Sequence, residues 1–293
     1  MSTHSNSGVG FLGTGLMGSA MGRRLLSQGI EVLAWDQDAS HLQGLHDHSA
    51  VLAGSPGEVP SRAAVVITML PTAEIVRSVV EPLLSSWPPE TVWLQMSSVG
   101  AGEADELARL AAAHDVVHFD APVSGSTKPA EEGKLTILAS GPEDERRRVE
   151  PVLEVLGSRV QWVGEAGAGS RLKLAANHWM IAMVAALAET MHLCELMEVD
   201  QNEFLALLDG GPLGPPYGLE KLREMTRHDY PAGFPARLAV KDLELVREVA
   251  DASGVTLPVL DTMLAQMGAI AEVRGDDDLA VVYELPPYQQ RET

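Results

Sequence analysis

Cysteine is nearly absent. Cys194 is the single one in the 293-residue chain, so no disulfide can form within it. It falls in an Ala/Met/Leu-rich stretch, where a buried and inert thiol is expected. Aromatic residues amount to 4%, which leaves Leu, Val, Ala and Met to build the core. Basic residues are outnumbered, 21 against 41 acidic, and a net charge of −20 repels phosphate backbones and anionic lipid surfaces. Nucleic-acid and membrane partners are therefore not expected. The chain also lacks a cysteine cluster or a carboxylate array, and its histidines are scattered, so no metal site is expected. Its polar beginning, Met1-Ser-Thr-His-Ser-Asn-Ser-Gly8, has neither the basic nor the apolar region of a signal peptide. No apolar stretch reaches membrane-span length without charges or glycines. The expected location is cytoplasmic.

The length allows two domains. In the first half, short β-type runs (Val9–Leu12, Glu31–Trp35, Ala64–Met69, Thr91–Gln95, Val116–Asp120) alternate with the helical stretches Leu16–Ser27, Glu74–Leu84 and Gly102–His114. Such alternation means βαβ units and a parallel sheet. Leu135–Ala139 and Val160–Val163 read as further strands around a helix Pro142–Leu156. After the glycine-rich segment Gly164–Gly169 the strand pattern stops. Residues 169–198 read as one helix, apolar nearly all round and rich in alanine, which must be buried against its own domain, with another subunit as a further candidate to cover it. Further helices are expected at about 201–209, 217–226, 236–253 and 257–273, with a Gly/Pro loop at 210–216. The expected fold is an α/β Rossmann-type domain (1–166) followed by an all-α domain (167–293) built around a long interdomain helix. The small residues along that helix lead us to expect a homodimer or a homotetramer.

The first strand runs into Gly13-Thr-Gly15-Leu16-Met17-Gly18 and then a helix. This is G-x-G-x-x-G in the context it requires. One glycine permits the tight turn, the next lets a pyrophosphate reach the backbone, and the third allows close helix–strand packing. The anion would rest on the helix N-terminus. The second strand ends in Trp35-Asp36, an acid placed to receive a ribose diol. Gln37-Asp38 follows, with no Lys or Arg for a 2′-phosphate, so NAD is expected over NADP. The competing reading of Asp36 is a cap on the next helix.

Lys173 and Asn177 stand four residues apart at the start of the long helix, which puts an ammonium and an amide on one face. Taken alone, such a lysine reads equally as a snorkelling surface residue. The ordered set Gly10-Phe-Leu-Gly13-Thr-Gly15-Leu-Met-Gly18, Met69-Leu70-Pro71, Asp120-Ala-Pro-Val-Ser124-Gly125, Gly167-x-Gly169-x-x-x-Lys173-x-x-x-Asn177 and Lys241-Asp242-Leu243 covers almost the whole chain. It resembles the β-hydroxyacid dehydrogenases, the 3-hydroxyisobutyrate dehydrogenase-like group. Ser124-Gly125-Ser126-Thr-Lys128-Pro-Ala, with Phe234-Pro235, is most similar to the glyoxylate and succinic semialdehyde reductases. Those enzymes usually use NADPH and carry Asn-Arg-Thr where this chain has Asp36-Gln37-Asp38.

The resemblance implies an oxidoreductase interconverting a small hydroxy acid and its aldehyde or keto acid. It implies Lys173 as catalytic acid/base, Asn177 orienting substrate, and Ser124 and Gly125, with Ser126, holding the substrate carboxylate. Ser98 would lie near substrate or nicotinamide, and Phe234 and Asp242 would belong to the substrate pocket. Gly13, Gly15, Leu16, Met17, Gly18, Asp36, Met69, Leu70, Pro71 and Lys241 would hold the cofactor. Duller explanations remain: a turn at Ser124-Gly125, exposed helix charge at Lys241-Asp242, core packing for Phe234. Two other functions fit the same plan, an imine reductase and a catalytically silent dinucleotide-binding scaffold. Lys173 counts against both, because imine reductases usually place Asp or Tyr there and silent relatives lose it.

Overall fold

The computed structural model describes residues 8–285. The polar segment read as lacking a signal peptide lies outside the described residues, apart from Gly8. Two compact units divide after Lys173.

In the first unit, β1 (Val9–Leu12), α1 (Leu16–Ser27), β2 (Val32–Trp35), α2 (Gln43–His46), β3 (Val51–Leu52), α3 (Glu58–Arg62), β4 (Val65–Thr68), α4 (Ala73–Leu84), β5 (Val92–Gln95), α5 (Ala101–Ala112) and β6 (His118–Asp120) follow in order. They form a six-stranded sheet of order β3-β2-β1-β4-β5-β6, in which every pairing is parallel. This is the doubly wound arrangement, whose order reverses between β1 and β4. The strands read as continuous apolar runs because both faces are covered. Side chains alternate between two cores: Val9, Phe11, Val65, Ile67, Val92 and Leu94 enter one, and Leu12, Val66 and Trp93 enter the other.

Next come β7 (Val123–Ser124), α6 (Thr127–Glu132), β8 (Leu135–Ala139), α7 (Glu150–Leu156) and β9 (Gly157–Trp162), the strands forming a second sheet β7-β8-β9. The expected single helix Pro142–Leu156 is in fact two pieces, a 3-10 segment Glu143–Arg148 and then α7. The break follows from Pro151, which has no N–H and whose ring would clash with the carbonyl one turn back. Placed in the first turn of α7, it is tolerated. β9 begins three residues earlier than expected, because Ser158 and Arg159 are exposed and carry no apolar alternation. β3, α3 and α6 are too short to show a period.

The second unit continues α8 (Ala168–Leu196), with α9 (Gln201–Leu208), α10 (Pro216–Arg227), α11 (Ala236–Ala252), α12 (Pro258–Arg274) and a 3-10 segment Leu279–Glu284. Its core gathers Ile181, Val184 and Met191 of α8 with Leu222, Leu243, Met263, Met267 and Val281. Cys194 is buried and free, as expected. The expectation that α8 is buried holds only in part. It is long and apolar enough to cross a membrane by length and composition, yet only 28% of its most apolar window is buried within the chain. Trp179, Leu193 and Leu196 are exposed.

His118 on β6 gives the first unit an acid-sensitive point. Its ring packs edge-on against Trp93, centroids 4.6 Å apart, and neither ring nitrogen has a hydrogen-bond partner. Burial pulls its pKa from 6.5 to about 3. The unfolded chain therefore binds a proton that the folded chain refuses between those values. The stability tied to the neutral ring is complete above pH 6.5 and is lost as pH falls toward 3, by up to about 5 kcal/mol at roughly 1.4 kcal/mol per unit. Urea unfolding of His118→Leu is expected to show a flatter fall in stability from pH 6.5 to 4.5 than the unaltered chain. An unchanged slope would remove His118 as the cause.

Candidate active site

The loops that follow β1, β2, β4, β5 and β6 all leave the carboxyl ends of parallel strands, where doubly wound sheets bind ligands. Gly13 has φ +101°, and a Cβ there would run into the Met69 carbonyl and the Leu70 side chain. A Cβ on Gly18 would strike the Gly13 carbonyl. Around Gly15 a Cβ would meet nothing within 4 Å. The three glycines thus divide their work as the motif requires: two allow close packing and one borders open space. Gly15 also brings no side chain to cap α1, and the first helical residue, Leu16, is 78% exposed. These residues fit a dinucleotide pyrophosphate lying against the loop and the helix start.

Asp36 is tied to that loop. Its carboxylate accepts from Thr14 N–H (2.6 Å), from the Thr14 hydroxyl (3.2 Å) and from Asp38 N–H (2.9 Å). The cap on the following 3-10 segment is Asp38, which accepts from Ser40 N–H, so the helix-cap reading of Asp36 is corrected. His41 stands 3.3 Å from Asp36 Oδ1. Between the loops after β4 and β5, Leu70 N–H donates to Ser97 Oγ at 2.9 Å, and Gln95 holds Ser97 through both its amide atoms. Ser97 is a member of this framework that the sequence reading passed over in favour of its neighbour. Ser98 is half-buried beside it, and Met69, Leu70 and Pro71 follow β4 directly.

After β6, Ser124 and Gly125 are exposed and Ser126 is half-buried ahead of α6. Gly125 has φ +135°, the region that favours glycine. Lys173 is buried to 9% exposure. Asp120, quoted in a motif but given no role, is buried and accepts from both the N–H and the hydroxyl of Ser170, at 2.8 and 2.7 Å. Burial pushes its carboxyl above the usual range, against the pull of these donors.

In the second unit, Asn177 Nδ2 donates to Asp242 Oδ2 at 2.5 Å. Asp242 is 3% exposed, so it is not ordinary surface charge. Its Oδ1 has no hydrogen bond and lies 3.8 Å from Lys241 Nζ. Phe234 is half-buried at the edge of the core, and its N–H donates to Asp278 Oδ2. Asp278 is fully buried and also pairs with Lys221, which holds Glu224 too. Burial raises the Glu224 carboxyl to about 7. Lys221, Glu224 and Asp278 carry no sequence signal of this grouping, since α11 and α12 lie between the first two and the third.

Residues 8–164 match the NAD-binding domain of 6-phosphogluconate dehydrogenase, and residues 167–285 match the NAD-binding domain of NADP-dependent 3-hydroxyisobutyrate dehydrogenase. The chain belongs to the 3-hydroxyisobutyrate dehydrogenase-like β-hydroxyacid dehydrogenases. Among curated members it is 33% identical to glyoxylate/succinic semialdehyde reductase 1 of Arabidopsis thaliana, covering 96% of this chain and 99% of that one. It is 32% identical to 2-(hydroxymethyl)glutarate dehydrogenase of Eubacterium barkeri, over 94% of each. Among solved structures, the 3-hydroxyisobutyrate dehydrogenase of Mycobacterium tuberculosis with L-serine superposes with a TM-score of 0.88 at 29% identity, covering 95% of this chain and 98% of that one. This β-hydroxyacid dehydrogenase is an NAD(P)-dependent oxidoreductase.

Proposed function

We propose that this enzyme interconverts a small carboxylate-bearing hydroxy acid and its aldehyde or keto acid, using NAD in preference to NADP. The observation that carries the reading is Lys173: an ammonium buried to 9% exposure, in a chain whose first unit is built to hold a nicotinamide dinucleotide. A positive charge held away from bulk water acts strongly on an alcohol or carbonyl oxygen brought beside it. When bound, the cofactor supplies or removes the hydride. Lys173 stabilises negative charge developing on the substrate oxygen and gives or takes its proton. Ser124 and Gly125, exposed after β6, hold the substrate carboxylate through a hydroxyl and backbone N–H groups. Asn177, Phe234 and Asp242 act on the substrate, and Ser98 lies near the nicotinamide. Gly13, Gly15, Leu16, Met17, Gly18, Met69, Leu70, Pro71 and Lys241 hold the cofactor.

Asp36 supports the preference for NAD, as a carboxylate held against the glycine loop with His41 beside it. The exposed Trp179, Leu193 and Leu196 of α8 support a homodimer or homotetramer, and a cytoplasmic location is proposed from the sequence alone. The test is a substrate panel run with NAD(H) and NADP(H) side by side. Turnover of short hydroxy acids, glyoxylate or succinic semialdehyde is expected, with little of cyclic imines. Turnover of imines alone would replace this reading with an imine reductase.

A further inference from the structure

The first turn of α8 is capped from outside its own segment. A helix leaves its first N–H groups without partners, and a Ser, Thr, Asp or Asn just before the helix ordinarily receives one. Here that position is Gly167, which has φ +93° and no side chain to offer. The four groups are nevertheless satisfied. Ala168 N–H reaches Glu165 O, and Arg171 N–H reaches Gly167 O. Gly169 N–H donates to Ser140 Oγ at 3.0 Å, and Ser170 N–H donates to Asp120 Oδ2 at 2.8 Å. The Ser170 hydroxyl donates to the other carboxylate oxygen at 2.7 Å. Ser140 and Asp120 are themselves joined by paired backbone hydrogen bonds of 2.9 and 2.8 Å. A carboxylate at a helix N-terminus is further favoured by the aligned peptide dipoles. Gly169 makes the close seat possible, since a Cβ there would run into the Leu138 carbonyl.

Ser170 stands three residues before Lys173, on the same helix face one turn back. Asp120 stands four residues before Ser124, at the end of the strand that leads into it. One buried carboxylate therefore registers the helix bearing the lysine against the segment bearing the carboxylate-holding serine. We propose that Asp120, acting through Ser170 and with Ser140, is a positioning residue for Lys173 in hydride transfer. This rests on the catalytic reading of Lys173. The effect is geometric: a misplacement of about 1 Å costs on the order of a hundredfold in rate.

Single-turnover rapid mixing of enzyme, reduced cofactor and a substrate from the panel separates this role from a merely structural one. Unfolding of part of the sample lowers the amplitude of nicotinamide oxidation. Misplacement of Lys173 lowers its rate constant. Asp120→Asn keeps the shape but removes the charge and replaces one of the two acceptor oxygens by an N–H2 donor, and is expected to slow the rate constant about a hundredfold. NADH affinity, read by fluorescence titration, should stay within about twofold, because the glycine loop is untouched. If Asp120→Asn does not fold, Ser170→Ala removes one of the two bonds, leaves the carboxylate in place, and is expected to slow the step about tenfold. A rate constant unchanged in both variants, in an enzyme that Lys173→Ala inactivates, overturns this proposal alone. Full activity in Lys173→Ala overturns the functional reading and this proposal with it.

Discussion

Lys173→Ala is expected to lower kcat by about a thousandfold while NADH still binds. General acid–base catalysis by one placed group accounts for roughly 10² to 10⁴ in rate, and loss of one oxyanion-stabilising donor for about 10² to 10³. Lysine would do both at one oxygen, and effects of groups acting as a unit do not multiply. Cofactor affinity is expected to survive because the glycine loop, Asp36 and the Leu70–Ser97 tie make no use of Lys173. Lys173→Arg is expected to restore little. A guanidinium keeps the charge but remains protonated and cannot cycle a proton. Steady-state rates with the best substrate of the panel, alongside fluorescence titration, measure both quantities. Full activity of either variant would falsify the assignment.

Asp36→Ala is expected to collapse the preference for NAD over NADP by about thirtyfold. A carboxylate and a phosphate about 4 Å apart repel by roughly 4 kcal/mol at an effective dielectric near 20, and salt screening reduces this to about 2. That remainder is about a thirtyfold ratio of dissociation constants. The two affinities should move in opposite directions. NADP gains through loss of the repulsion. NAD weakens because its ribose diol loses the Asp36 acceptor, while loss of the brace on Thr14 N–H, at 2.6 Å, acts on both dinucleotides alike. Competitive titration with both dinucleotides reads each change. Equal affinities in the unaltered enzyme would refute the preference at the outset.

Much of the Rossmann unit could be read from the chain because its signals are local. β1 and α1 occupy the expected residues, since apolar runs and a glycine-punctuated helix start need no distant partner to be recognised. The glycine loop was legible for the same reason. Asp36 was legible as an acid at a strand end, but its grip on Thr14 was not, because 22 residues separate them. Asp120 was visible only as a letter in a motif. Its partner Ser170 lies 50 residues away, and a buried carboxylate looks like any other in a sequence. The Lys221–Glu224–Asp278 group was missed for a like reason. Its i, i+3 pair resembles solvated helix charge until Asp278 arrives from beyond α12.

The amino-acid order by itself determined the strand–helix alternation, the dinucleotide loop and the family, because periodicity and short motifs are properties of adjacent residues. Tertiary structure alone decided which polar side chains are buried and what they hold. Asp120 became a helix cap, Asp38 rather than Asp36 capped the turn that follows β2, and α8 kept much of its apolar surface uncovered within one chain. Burial and hydrogen-bond partnership depend on segments far apart in the chain, and only folding brings those segments within 3 Å of each other.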